Sequence, residues 1–124
     1  MNIVTTKIEK SDCFYELSFG NSTVVMLKTE LDKKPLSFRI IKDTNVEAFQ
    51  LTNIMQFVNV QRSDELEAKT IRVVLDANCE VVGYGSPTED IFILFQDEDF
   101  KTYTEDELRR MDVQNNRLLK REII

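Results

Sequence analysis

The residues best suited to chemistry in this chain are carboxylates, and they are concentrated in positions 89–107. This window contains eight acidic residues and one lysine, whereas the whole chain of 124 residues has a formal net charge of −6. The window therefore carries a net charge of −7, and the rest of the chain is close to neutral. Closely spaced carboxylates can hold a hard cation, transfer protons or attract a basic surface. Their spacing and their neighbours distinguish these uses.

The central acidic triplet, Asp97-Glu98-Asp99, does not follow the spacing of a calcium-binding loop. Such a loop needs a glycine at its sixth position and a glutamate at its twelfth. Thr102 and Leu108 occupy those two positions. We predict a solvated turn between a strand and a helix, with no bound metal and no cofactor. A loose surface site for a hard cation is the alternative.

The residue types that most enzymes depend on are scarce. Histidine is absent, which removes the commonest general base and the commonest metal ligand. The two cysteines, Cys13 and Cys79, are too far apart for a zinc knuckle or a Cys-x-x-Cys redox pair, so we expect free thiols. We therefore predict that the protein is not an enzyme. An enzyme built on carboxylates such as Asp97 and Asp99 is the alternative, although their spacing does not favour it.

A capping box predicts a helix after the acidic triplet. Thr104 and Glu107 have the spacing in which each side chain satisfies a free amide at the helix start. Acids in the first turn and the cations Lys120 and Arg121 near the other end suit the helix dipole, so we predict a helix over about 105–121. The residues of its apolar seam are Leu108, Met111, Asn115 and Leu118. This seam predicts packing on the protein's own sheet or against a second copy, with Asn115 fixing the register.

The cations of the same helix suggest a second use, which is anion binding. Arg109 or Arg110 could clamp a phosphate or carboxylate with its planar guanidinium group. Tyr84, in a glycine-rich stretch, could stack on a ring of the same ligand. The alternative is that the glycine-rich stretch is a simple turn, and that the arginines form local pairs with Glu105 and Asp106.

Alternation of apolar and polar residues predicts β-strands in the first forty positions. Ile3–Ile8 is expected to form one strand. Cys13–Glu30 is expected to form a hairpin, in whose first strand Tyr15 and Leu17 alternate with polar residues. A further strand over 36–40 would complete an antiparallel meander.

The apolar periodicity then changes to that of a helix. Thr44 and Glu47 form another capping box, which predicts a helix over about 45–57 that packs on the sheet. A second β block follows, with a turn in which Cys79 occupies a position where glycine often supplies a left-handed residue. An ordinary, partly buried cysteine at the start of a strand is the favoured interpretation of Cys79. The predicted fold is one α+β domain, 1–124, with an antiparallel sheet of five or six strands, a mid-chain helix and a C-terminal helix.

The sequence also predicts the cellular location of the protein and the kinds of surface that it does not bind. The N-terminal residues show no basic region followed by an apolar stretch, and the longest apolar run is 91–95. We therefore expect a cytoplasmic protein without membrane contact. The net charge of −6 disfavours direct binding to nucleic acid phosphates.

These observations favour a non-catalytic protein–protein interaction module that docks on the basic surface of a partner protein. Acidic inhibitors, immunity proteins and anti-defence proteins act in this way. The acids expected to meet the partner are Asp97, Glu98, Asp99, Glu105 and Asp106. The alternative is a homodimer, paired through the apolar seam of the C-terminal helix, that binds a nucleotide or another organic anion.

Overall fold

The computed structural model describes residues 1–17, 22–41, 45–97 and 101–115. They form seven strands, two α-helices and a short 3₁₀-helix, Ser63–Leu66. The strands are β1 Asn2–Glu16, β2 Ser22–Thr29, β3 Leu36–Ile40, β4 Thr70–Leu75, β5 Val81–Gly85, β6 Phe92–Leu94 and β7 Thr102–Tyr103. The helices are α1 Val46–Phe57 and α2 Glu105–Asn115.

All seven strands belong to one antiparallel sheet, in the order β3-β2-β1-β4-β5-β6-β7. The predicted α+β class is confirmed, and the predicted count of five or six strands is slightly low. The sequence pattern missed β7, because a strand of two residues is too short to show any alternation.

Strand β1 connects the two halves of the sheet. Its first part, Asn2–Lys7, pairs with β4, and its second part pairs with β2. The register shifts between Ile8 and Lys10, as in a β-bulge, which bends a strand and increases its local twist. The predicted strand Ile3–Ile8 and the first strand of the predicted hairpin are therefore one continuous strand of 15 residues.

The sheet has a hydrophobic core on each face, because side chains alternate along β4. Val73 contributes to the core beneath α1, which we name the first core, and Val74 to the core beneath α2, the second core. The first core also contains Leu51 and Ile54 of α1. Burial of these apolar side chains fixes both helices against the sheet.

The start of α1 differs from the expected capping box. Asn45 is the N-cap, and its Oδ1 atom accepts a hydrogen bond from the Ala48 amide at 2.8 Å. The carboxylate of Glu47 accepts a hydrogen bond from the Arg39 amide on the outer edge of β3. The expected cap, Thr44, lies outside the described residues, and the predicted helical range of about 45–57 is confirmed.

The start of α2 has the predicted capping box. The amide of Glu107 donates to Thr104 Oγ1 at 3.2 Å, and the amide of Thr104 donates to Glu107 Oε1 at 3.1 Å. The helix is described as far as Asn115, so its predicted end near residue 121 lies outside the described residues.

Candidate functional site

The acidic triplet begins at a turn that is fixed on α1. Gln50 is buried, and its Nε2 atom donates to the main-chain oxygens of Phe95 at 3.1 Å and Leu94 at 3.4 Å, with Asp97 O at 3.5 Å. The Asp97 carboxylate accepts a hydrogen bond from the Tyr103 hydroxyl. Asp97 therefore has a structural role beside its charge. The other two acids of the triplet, Glu98 and Asp99, lie outside the described residues.

The acids at the start of α2 have local partners. Glu105 pairs with Arg109 at 3.0 Å, and Asp106 pairs with Arg110 at 2.9 Å. The amide of Glu105 donates to Asp90 Oδ1 at 2.7 Å, so Asp90 supplies a second cap for the helix. Exposed pairs of this kind contribute little to stability, so a partner could replace them at small cost.

Tyr84 is not placed to bind a ligand. Its side chain is fully buried in the first core, and its ring meets the Phe95 ring edge-on, with centroids 5.2 Å apart. Its hydroxyl donates to Asp32 Oδ2 at 3.3 Å. This burial contradicts the prediction that Tyr84 stacks on a ligand ring. Arg109 and Arg110 belong to α2 on the other face of the sheet, so the structure does not bring the three predicted ligand residues together.

The apolar seam of α2 packs on the protein's own sheet. Leu108 is fully buried in the second core, and Met111 packs against the same cluster. For Leu108 the structure shows packing on the protein's own sheet, the first of the two predicted alternatives, and contradicts its role in pairing two copies because the sheet already covers its side chain. Asn115 lies in α2 without a described side chain, and Leu118 lies outside the described residues.

A surface that the sequence did not predict lies at one end of strands β1 and β3. Among the described residues, six large apolar side chains are exposed, and five of them lie at this end. They are Phe14, Tyr15, Leu17, Ile41 and Phe49. Both β1 and β3 are antiparallel to β2, so their C-terminal ends point the same way. We name this set the apolar end. Side chains alternate along a strand, so Phe14 and Tyr15 lie on opposite faces of β1. Exposed apolar side chains that share a face can form a site of interaction.

Helix α1 contributes to the apolar end and also holds the turn at Asp97, the first acid of the triplet. Phe49 of the apolar end precedes Gln50, which holds the turn that contains Asp97. The exposed Phe49 and the buried Gln50 are therefore consecutive residues of one helix. Tyr15 is 63% exposed and Leu17 72% exposed, although their alternation is typical of a half-buried strand.

Both cysteines are exposed free thiols, and Cys79 has a left-handed φ of 60°, so it is not the partly buried residue of a strand start that the sequence pattern favours. No group of three or more metal-ligating side chains occurs within the part of the chain that the structure describes. In the same described part, neither helix has the length and apolar character needed to cross a membrane.

Comparisons with protein-family models, with curated proteins and with solved structures each find no match for this chain.

Proposed function

We propose that the chain is a non-catalytic protein–protein interaction module that docks on a basic surface of a partner protein. The observation that carries the proposal is the set of exposed apolar side chains at the apolar end, which a partner would cover. Helix α1 contributes Phe49 to this set and, through the buried Gln50, holds the turn at Asp97, the first acid of the triplet. The absence of histidine from the chain supports a non-catalytic role.

The two parts of this surface have different physical effects. The exposed side chains of the apolar end supply binding free energy when a partner covers them, at about 25 cal/mol per Å² of apolar area. The acids select a partner of opposite charge and accelerate its approach. The expected partner therefore presents apolar side chains surrounded by Lys and Arg.

Two variants test the two parts separately. Tyr15→Ser combined with Leu17→Ser removes the most exposed apolar side chains. Its control is Leu31→Ser, which removes an exposed apolar side chain at the opposite end of the sheet. The charge reversal Asp97→Lys, Glu98→Lys, Asp99→Lys is matched by Asp64→Lys, Glu65→Lys, Glu67→Lys beside the 3₁₀-helix. Tyr103→Phe controls for the hydrogen bond that the Asp97 change removes.

The chain is tagged and used to capture proteins from its native cell, and the captured partner is then purified and titrated. We expect a basic partner whose affinity falls at least tenfold with either test variant and changes little with the controls. Affinity should also fall as salt rises, because salt screens opposite charges beyond about 10 Å at 0.1 M. An acidic partner, or equal binding by all variants that melt like the wild type, would refute the proposal.

A further inference from the structure

A concave site lies at the end of the β2–β3 hairpin that is opposite the apolar end. The turn between these strands faces the first residues of β5 across a cavity of about 330 Å³. Its lining residues are Asp32, Lys33, Lys34, Pro35, Leu36, Glu80 and Val81. This volume is within the range of small-molecule sites. The cavity is at the other end of β3 from the apolar end, so it is a separate surface.

The carboxylate of Asp32 is held in a fixed position at this cavity. Its Oδ2 atom accepts hydrogen bonds from the Thr29 amide at 2.8 Å and from the Tyr84 hydroxyl at 3.3 Å. The Thr29 side chain also donates a hydrogen bond to this carboxylate, so Thr29 and Tyr84 together fix its position. Burial raises the pKa of Asp32, so a cationic group would relieve an unfavourable environment of the charged form.

The positive charge at the cavity comes from two lysine side chains that can pair with an anion. Lys33 and Lys34 are exposed and form no ion pair with any residue that the structure describes. Ammonium groups in this position can neutralise a carboxylate. Leu36 and Val81 add apolar wall between the charged groups. The cavity therefore offers the fixed carboxylate of Asp32, a second carboxylate from Glu80, two lysines without a described ion pair and a small apolar surface.

We propose that this cavity binds a small zwitterion of the α-amino-acid type with an apolar side chain. The Asp32 carboxylate pairs with the ligand's ammonium group, and Lys33 and Lys34 pair with the ligand's carboxylate. The ligand's side chain packs against Leu36 and Val81. A ligand with only one of the two charges would leave the opposite charge of the cavity unpaired, so both charges are required for full affinity.

Calorimetric titration with leucine, methionine and phenylalanine tests the proposal. N-acetyl-leucine lacks the ammonium charge and leucinamide lacks the carboxylate, so each isolates one half of the site. We expect at least one free amino acid to bind, and both blocked forms of leucine to bind at least tenfold more weakly than leucine. No heat and no thermal shift with any free amino acid would overturn the proposal. Equal binding of leucine and its blocked forms would overturn it too.

Variants locate the binding in this cavity. Asp32→Asn keeps the acceptor for Thr29 and Tyr84 but removes the charge, and we expect it to weaken amino-acid binding at least tenfold. Lys33→Gln with Lys34→Gln should do the same. The control is Lys7→Gln with Lys10→Gln, which removes two exposed lysines from β1 outside the cavity. Equal loss in the control, or none in the cavity variants, would place binding elsewhere and overturn the assignment.

Discussion

The hydroxyl of Tyr84 donates a hydrogen bond to Asp32 Oδ2 at 3.3 Å, across 52 positions of the chain. The donor lies in β5 and the acceptor in the turn between β2 and β3, so the curled sheet brings two distant parts of the chain together. The ring of Tyr84 is fully buried, and burial beside Asp32 raises the pKa of its hydroxyl. Tyr84 therefore remains a protonated donor, and its role is to position Asp32.

Replacing Tyr84 with phenylalanine should destabilise the fold by about 0.5–1.5 kcal/mol, the usual net value of one hydrogen bond. The ring and its packing remain, and Asp32 keeps the bond from the Thr29 amide. The measurement is urea denaturation followed by circular dichroism. Tyr15→Phe is the control, because that side chain is 63% exposed and its change should stay within about 0.5 kcal/mol. Equal effects of the two changes would show that the buried hydrogen bond contributes nothing.

Asp32 should make stability depend on pH in a direction unusual for a carboxylate. Its folded-state pKa is raised above the ordinary value of 3.8 by burial, so the folded state binds the proton more tightly than the unfolded state. The cost of the buried charge is therefore fully present above the folded pKa and is lost as pH falls toward the unfolded pKa. We expect Asp32→Asn to be more stable than the wild type at neutral pH, with an advantage that shrinks on acidification.

Thermal melts of both proteins from neutral pH down to the acidic range measure this difference. Asp64→Asn removes a carboxylate from the exposed 3₁₀-helix and serves as the control for a change in net charge. An advantage of Asp32→Asn that grows on acidification would reverse the sign of the argument and show that Asp32 is stabilised as a charged group.

Helix α2 should depend on its caps far more than on its surface ion pairs. Thr104→Ala removes the hydroxyl that accepts from the Glu107 amide, and should cost about 1 kcal/mol. Arg109→Ala removes an exposed pair with Glu105 and should cost less than about 0.5 kcal/mol. Chemical denaturation of the two variants under one set of conditions compares them. If Arg109→Ala had the larger effect, the arginine would have a role beyond local pairing.

Features that depend on neighbouring positions were predictable from the sequence. The Thr104–Glu107 capping box acts within one helical turn. The helix over about 45–57 follows from residues of that helix alone. In each case the chemistry that fixes the structure lies within a few positions, so the sequence pattern contains it.

Features that depend on distant pairing were not predictable. Tyr84 is buried because the sheet curls and brings Asp32 and Phe95 to it. Tyr15 is exposed although its alternation is typical of a half-buried strand, because alternation cannot show how far along a strand the covering elements extend. The cavity at Asp32 depends on the same curl, since its walls come from two separate turns. Local periodicity contains no information on such contacts.

Replacing Cys79 with glycine should stabilise the protein, although it removes a side chain. A left-handed φ of 60° costs an L-residue about 1–2 kcal/mol, and glycine adopts it freely. Glycine also loses more conformational entropy on folding, by about 0.5–1 kcal/mol, so the expected net gain is about 0.5–1 kcal/mol. The amide of Cys79 donates to the Asp76 carbonyl at 3.1 Å, and this bond survives the change because it is a backbone bond.

Ala77→Gly is the matched control in the same turn, because Ala77 has no left-handed φ and should only lose stability. Thermal and urea unfolding measure both variants, and a thiol titration of the folded Cys79→Gly protein should find Cys13 alone. An equal loss in the two variants would mean that the turn imposes no cost on Cys79.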